Sequence, residues 1–330
     1  MRAGLFSIVL AASIAIGCGP KPLRLTLIDA SVQRPSNIAV YFTVETSDGE
    51  PVAGLTAESF RIYEDGQPVS VLESKQTILN PEVAAAHYTL LLVDMSGSVT
   101  ESGDVPVIVE SARAFSDRVQ KFQKVAVYAF DGSSKIHPIS GFGSGAGIER
   151  LASFKARDPS TNLNGAVVEA LQVLSRQMAS SSAPLTFGTL VVFTDGTDRA
   201  QRVPRDKLHE QLDMYDVDVI VVGVGAEIDS SELASIGRDG AILSKDRAQI
   251  ASSFDAAAAR VEAYSKRYYL LGYCSPARAG RHVLRIETTA QGATGAYEHE
   301  FDARGFGPKC DPTRPPSFSL KRPKRVVLSR

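Results

Sequence analysis

Two hydrophobic rhythms divide this chain. Leu23, Leu25 and Leu27 alternate with other residues, as do Ile38, Val40, Phe42 and Val44, the two-residue period of a half-buried strand. Asp48-Gly49 and Asp65-Gly66 are hairpin-type turn signals, the second separating Phe60/Ile62 from Val69/Val71. Short alternating runs return at Tyr268–Tyr273, His282–Thr288 and Tyr297–Phe301, divided by Gly-containing turns. Between these two β-rich ends the rhythm changes. Tyr88–Val93, Val125–Phe130, Leu190–Phe193 and Val217–Val222 are unbroken apolar runs, the pattern of strands covered on both faces. They alternate with amphipathic stripes of helical period. One is Ile108, Ala112, Phe115, Val119 and Phe122; another is Leu163, Val167, Leu171, Leu174 and Met178; a third is Ile250, Phe254, Ala257, Val261 and Tyr264.

This pattern predicts an α/β fold: a doubly wound, mostly parallel, Rossmann-like sheet inserted into a small β-sandwich built from both chain ends. The expected segments are 23–84 for the first part of the sandwich, 85–266 for the α/β domain, 267–303 for the rest of the sandwich, and 304–330 for a basic, Pro-rich tail. The 330 residues, 44% hydrophobic with a net charge of −1, suffice for one or two sizeable cores and show no global charge pointing to nucleic acid.

The first residues stand apart. Arg2 supplies a positive start, Leu5–Ile16 an apolar stretch too short for a membrane span, and Gly17 a small residue before Cys18. Residues 1–17 therefore read as an export signal. The Gly-Cys junction resembles the bacterial lipobox, with Ala15 where Leu is usual; that resemblance implies lipidation of Cys18 and anchoring of the exported chain, with Gly19 leaning toward the outer membrane, periplasmic or surface face. An ordinary secretory signal with a chance cysteine is the alternative. If Cys18 carries lipid, Cys274 and Cys310 remain, and two thiols in an exported protein most simply form one disulfide; two unrelated buried thiols are the other reading.

Candidate chemistry lies in three loops. Asp94, Ser96 and Ser98 follow the Tyr88–Val93 run, with an oxygen-bearing side chain on every second residue. Thr194-Asp195-Gly196 follows Leu190–Phe193, and Thr161 precedes the second helical stripe. Together Asp94-x-Ser96-x-Ser98, Thr161 and Asp195 resemble the metal-ion-dependent adhesion site of the von Willebrand factor type A domain. The resemblance covers about His87–Lys266; the preceding GLTAESFRIYEDGQPV stretch resembles a domain found before this module in some bacterial surface proteins. It implies a hard divalent cation held by Ser96, Ser98 and Thr161, with Asp94 and Asp195 acting partly through water, and one position left for an Asp or Glu of a protein partner. Mg²⁺ suits neutral oxygen donors, Mn²⁺ could substitute, and Ca²⁺ fits less well. None of the five His lies in these loops.

Other chemistry is thin. The Gly141–Gly147 stretch lacks both a Gly-Lys-Ser/Thr and the G-x-G-x-x-G spacing, and Phe142 breaks G-x-S-x-G. His137 has no assignable partner. The chain is expected to be a binding protein of the cell envelope rather than an enzyme, with a metal-independent structural scaffold as the alternative. The basic Lys321-Arg322-Pro323-Lys324-Arg325 run reads either as a solvated tail or as an attraction to anionic lipid or envelope polymer.

Overall fold

A computed structural model describes residues 22–79, 81, 84–290 and 292–318. Met1–Gly17, Cys18 and Lys321–Arg325 lie outside the described residues, so the signal, lipidation and basic-cluster expectations have no structural counterpart here. The chain opens with β1 (Leu23–Gln33), β2 (Asn37–Thr46), β3 (Phe60–Glu64), β4 (Gln67–Pro68) and β5 (Thr77–Leu79). The middle runs β6 (Ala85–Asp94), α1 (Gly97–Glu101), α2 (Val105–Val119), β7 (Lys124–Phe130), β8 (His137–Ser140), α3 (Leu163–Ala179) and β9 (Leu185–Thr194). It continues with α4 (Arg205–Met214), β10 (Asp218–Val224), α5 (Ser230–Ile236), β11 (Gly240–Ser244) and α6 (Ile250–Ser265). Strands β12 (Tyr268–Cys274), β13 (Arg281–Ala290) and β14 (Ala293–Asp302) close the chain.

The middle forms a six-stranded sheet in the order β11-β10-β9-β6-β7-β8, parallel except for β8. Alternate residues of each inner strand feed opposite cores. Leu91, Val93, Val127, Val191 and Val222 pack under α2 and α6, while Leu90, Leu92, Leu190, Val192 and Val221 pack under α3, α4 and α5. Uniformly apolar runs such as Leu90–Val93 follow from that two-sided cover. The second and third helical stripes are wholly buried in α3 and α6, but the first ends at Val119. Phe122 lies past the end of α2 and is 37% exposed, one turn beyond the helix that its spacing would continue.

The two chain ends meet as two antiparallel sheets, β1-β2-β12-β5 and β14-β13-β3-β4. Leu25, Val40, Phe42, Leu271 and Tyr273 from the first sheet face Phe60, Ile62, Leu284, Ile286 and Phe301 from the second. The Asp65-Gly66 turn forms, with φ of 51° and 78°, but its returning strand is only Gln67–Pro68. Val69 adds one amide bond to Ile62, and Val71 is already at the surface.

Strands β2 and β12 depart from the half-buried expectation: Ile38–Val44 and Tyr268–Tyr273 are buried on both faces. The reason is a second packing surface. Ala39, Tyr41, Tyr268 and Leu270 turn away from the sandwich and meet Ala85, Leu185 and Phe187 at the amino-terminal edge of the α/β sheet. The first sandwich sheet is thus a shared middle layer.

The segment after β14 also differs from a free tail. The sulfurs of Cys274 and Cys310 are bonded, with Cα atoms 5.7 Å apart. Beyond them, the Arg314 guanidinium donates to the Arg34 carbonyl, the Ser317 amide donates to the Ser31 hydroxyl, and Phe318 enters the layer beside Tyr41. Buried apolar contact and backbone bonds hold residues 304–318 on the sandwich. Among the described residues no helix is long and apolar enough to cross a membrane.

Candidate metal centre

Strands β6 and β9 are neighbours, yet the chain leaves β6 for β7 on one side and reaches β9 on the other. That reversal opens a crevice at their carboxyl ends, the usual binding position in an open α/β sheet. Asp94 ends β6, and Asp195 follows the last residue of β9, so the two carboxylates flank it.

Asp94 is fully buried and acts as the hub of the turn. Its Oδ1 accepts the Ser96 amide at 2.9 Å and its Oδ2 accepts the Thr194 hydroxyl at 2.7 Å. Ser96 and Ser98 have hydroxyls 3.3 Å apart, and Ser98 donates to Asp195 Oδ1 at 2.9 Å. Ser96 is buried whereas Ser98 is exposed, which gives the cluster one open side. Thr161 is buried in the third loop. That loop is stitched to the other two by the backbone: the Gly97 amide donates to the Pro159 carbonyl, and the Ala200 amide to the Thr161 carbonyl. A side chain at Gly97 would stand 3.0–3.1 Å from Pro159, so glycine permits that approach. Gly225, at φ +148°, does the same beneath Asp195: a Cβ there would come within 2.9 Å of the Asp195 carbonyl. The structure therefore unites Asp94, Ser96, Ser98 and Asp195 in one hydrogen-bonded cluster and lays the Thr161 loop against it. No hydrogen bond joins the Thr161 hydroxyl to the other four among the described residues.

Burial, reinforced by the Asp195 charge, pushes the Asp94 carboxyl up to about 7, against the bonds from Thr194 and Ser96 that favour its ionised form. Burial also raises Asp195, opposed by Ser98 and Arg247. Two buried carboxylates that resist sharing negative charge are an environment that a cation would relieve. Both Asp94 oxygens are already engaged by chain donors, which suits a carboxylate acting through water. The remaining donors are neutral hydroxyls, and no group of three or more His, Cys, Asp or Glu among the described residues could hold a metal. This oxygen set fits a hard, partly hydrated divalent ion, for which Ser96, Ser98, Thr161, Asp94 and Asp195 are the holding residues.

Three residues outside the sequence pattern shape the site. Arg247, in the short turn Arg247–Gln249 just before α6, donates to Asp195 Oδ2 at 2.7 Å and to Asp104 Oδ2 at 2.6 Å. Asp131, fully buried at the end of β7, accepts the Arg157 amide at 2.7 Å and so holds the start of the Thr161 loop. No local motif marks any of these pairings; only the position of Asp131 at a strand's carboxyl end offered a hint. His137 lies beside Asp131, but the same Nε2 is 3.3 Å from the Ser133 hydroxyl and 3.5 Å from Asp131 Oδ1. A hydrolytic relay needs the serine and the carboxylate on opposite ring nitrogens, so this is not one.

The von Willebrand factor type A domain model matches residues 90–261, and the chain belongs to that family. Among solved structures, it is similar to a von Willebrand factor type A protein from Catenulispora acidiphila, at 11% identity over 86% of this chain and 73% of that one, with a TM-score of 0.47. Manganese-loaded TRAP protein from Plasmodium vivax is similar at 13% identity, 75% and 99% coverage, and a TM-score of 0.44. Proximal thread matrix protein 1 from the mussel byssus, with a zinc-occupied MIDAS motif, is similar at 13% identity and a TM-score of 0.43. That match covers 55% of this chain and 48% of the mussel protein, about half its length. Comparison with curated proteins finds no match.

Proposed function

We propose that this protein is a lipid-anchored, extracytoplasmic binding protein that captures an acidic residue of a protein partner at a Mg²⁺-type adhesion site. The observation carrying this reading is the Asp94–Ser96–Ser98–Asp195 cluster, buried on one side and open at Ser98, at the switch point of a family fold. When bound, the cation supplies an electrophilic position for a partner carboxylate. Asp94 orients the Ser96–Ser98 turn through its two accepted bonds, and Asp195 steers the Ser98 hydroxyl. Mn²⁺ is the expected substitute and Ca²⁺ the poorer one. The role is binding rather than catalysis, and export rests on residues 1–17 with Cys18 as the lipidated residue.

The direct test is capture of envelope proteins with and without Mg²⁺, using the wild type and Asp94→Ala. Capture lost with chelator and in the variant is expected. Cys18→Ser should leave the membrane fraction or remain unprocessed; processing and fractionation like wild type would refute the anchor. A second reading has its own support. Arg247 pairs with Asp195 at 2.7 Å, a built-in counter-charge of the kind a metal-independent assembly scaffold would use, and capture that survives both chelator and Asp94→Ala would establish it.

A further inference from the structure

The sandwich carries a separate cleft at the hairpin end of β1 and β2, with a volume of about 490 Å³. The junction layer and the full length of the α/β sheet separate it from the metal loops. One wall is the turn 70–76 and the other is 307–310. Cys274 ties them together, through its amide bond to the Ser74 carbonyl at 2.8 Å and its disulfide to Cys310. The cleft is thus held open in advance of any ligand, which lowers the cost of binding.

Its charge is one-sided. Lys75, Arg278 and Lys309 line it against a single acidic residue, Glu73. Asp311, just outside, is engaged by the Thr313 amide and hydroxyl and also feels the Lys75 charge, so that, among the described residues, Arg278 and Lys309 are the cations without an acidic neighbour outside the cleft to share. The Lys75 amine rests 3.4 Å from the Cys310 carbonyl, and Arg278 is steered by the carbonyls of Ser275 and Ala277. Lys75 and Lys309 both have left-handed backbone, φ 52° and 75°, and they are two of the four non-glycine residues of positive φ among those described. Glycine or asparagine would adopt that geometry more easily, so lysine at both places points to use of the side chain. On the same turn Leu72 is 89% exposed, the most exposed large hydrophobic residue described, with Val71 beside it at 39%. An apolar side chain offered to solvent at the rim of a basic cleft is a contact surface.

We propose that this cleft binds an extended acidic peptide segment of a protein partner, with carboxylates on Lys75, Arg278 and Lys309 and an apolar side chain on Leu72. The site is independent of the metal centre. A labelled peptide of alternating Glu and Leu, titrated against the full chain in chelator and followed by fluorescence anisotropy, tests it. A peptide of alternating Gln and Leu is the control. The Glu peptide is expected to bind about tenfold more tightly or better, to weaken with salt, and to lose about tenfold on Arg278→Glu/Lys309→Glu. Leu72→Ser should weaken it by a smaller factor, and Lys309→Ala provides a milder variant whose melting should match wild type. Asp94→Ala should bind the peptide unchanged; loss there would place the peptide at the metal centre and overturn the proposal. Equal binding of the two peptides, or indifference to both lysine and arginine variants, would overturn it as well. Full displacement by inorganic phosphate with no effect of Leu72→Ser would reduce the site to a bare anion site and refute peptide recognition.

Discussion

The two ends of the α/β sheet solve opposite problems with the same strands. At the carboxyl edge β6 ends in Asp94 and β9 is followed by Asp195, and the neighbouring donors are hydroxyls and loop amides. At the amino edge the same strands begin among rings. His87 lies 5.0 Å from Phe187 and 4.9 Å from Tyr268, and Tyr41 stacks 5.8 Å from Tyr268. Arg267 seals that end: it bonds Glu45 of β2 and Asp218 of β10 and lies over the rings of Tyr264 and Tyr268. One edge keeps negative charge without a built-in cation of its own except Arg247. The other brings its own cation, pairs its two terminal nitrogens with Glu45 and Asp218 while leaving the buried Nε without a hydrogen-bond partner among the described residues, and keeps most solvent out. The contrast separates an edge that must accept something from outside from one that is a permanent joint.

The largest expected effect comes from breaking the joint's ion pairs. Arg267 is 9% exposed, and although burial disfavours its charge, Asp218, Tyr268 and Glu45 hold its pKa well above the usual arginine value. Arg267→Met removes the cation and leaves Glu45 and Asp218 facing a poorly solvated layer. Loss of one partner from such a pair typically costs about 3–5 kcal/mol. Urea unfolding should show that loss, and a change below about 1 kcal/mol would mean that water reaches the joint freely.

The edges should also respond to pH with opposite signs. Burial, and then the Arg267 charge, lowers His87 from 6.5 to about 4. The unfolded chain then binds a proton that the folded chain refuses, so stability falls as pH drops from about 6.5 toward 4. One pKa unit is about 1.4 kcal/mol, so the loss is at most about 3–4 kcal/mol, an upper bound because part of the His87 surface still meets solvent. His87→Phe should flatten this limb. Asp94 behaves in reverse. Its folded value, near 7 against 3.8, means that stability is present below about 3.8 and is lost as pH rises through 7. In chelator, Asp94→Asn should therefore melt higher than wild type at pH 8, and added Mg²⁺ should raise the melting temperature of the wild type only. A wild type whose melting ignores both Mg²⁺ and pH across this range would contradict the assignment of a metal centre.

Much of this contrast was legible in the chain, for local reasons. A strand such as Leu90–Val93 has the same apolar requirement on both faces, so it announces itself without its neighbours. The oxygen donors of Asp94-x-Ser96-x-Ser98 and Thr194-Asp195-Gly196 are crowded into short loops beside such strands. The joint was hidden by its residue types. Ala39, Tyr41 and Thr43 alternate with Ile38, Val40, Phe42 and Val44, and small or amphipathic residues serve equally well against solvent or beneath another layer. The α4 and α5 helices were hidden by brevity: α4 buries only Leu208, Gln211 and Leu212. Nor could local spacing reveal Arg247, because its bond to Asp195 spans 52 residues and belongs to no periodic pattern.

Arg247 also supplies the smallest and sharpest test of the comparison. It is the charge that makes the open edge resemble the sealed one, since it does for Asp195 part of what Arg267 does for Glu45 and Asp218. The likeness is incomplete, because the Arg247 side chain is 38% exposed and that of Arg267 is 11% exposed. Solvent screening weakens an exposed pair to about 1 kcal/mol or less. An incoming dication must either displace the guanidinium from Asp195 or tolerate it at close range, and both oppose metal binding. Arg247→Ala should therefore strengthen Mg²⁺ binding by a few-fold, the equivalent of that small energy. Asp104→Ala, which removes the guanidinium's other anchor, should leave it more firmly on Asp195 and weaken Mg²⁺ binding slightly. Calorimetric titration of the two variants at one ionic strength would read both signs. If Arg247→Ala instead weakens binding, the guanidinium is holding Asp195 in its productive orientation, and the open edge is more pre-built than its exposure suggests.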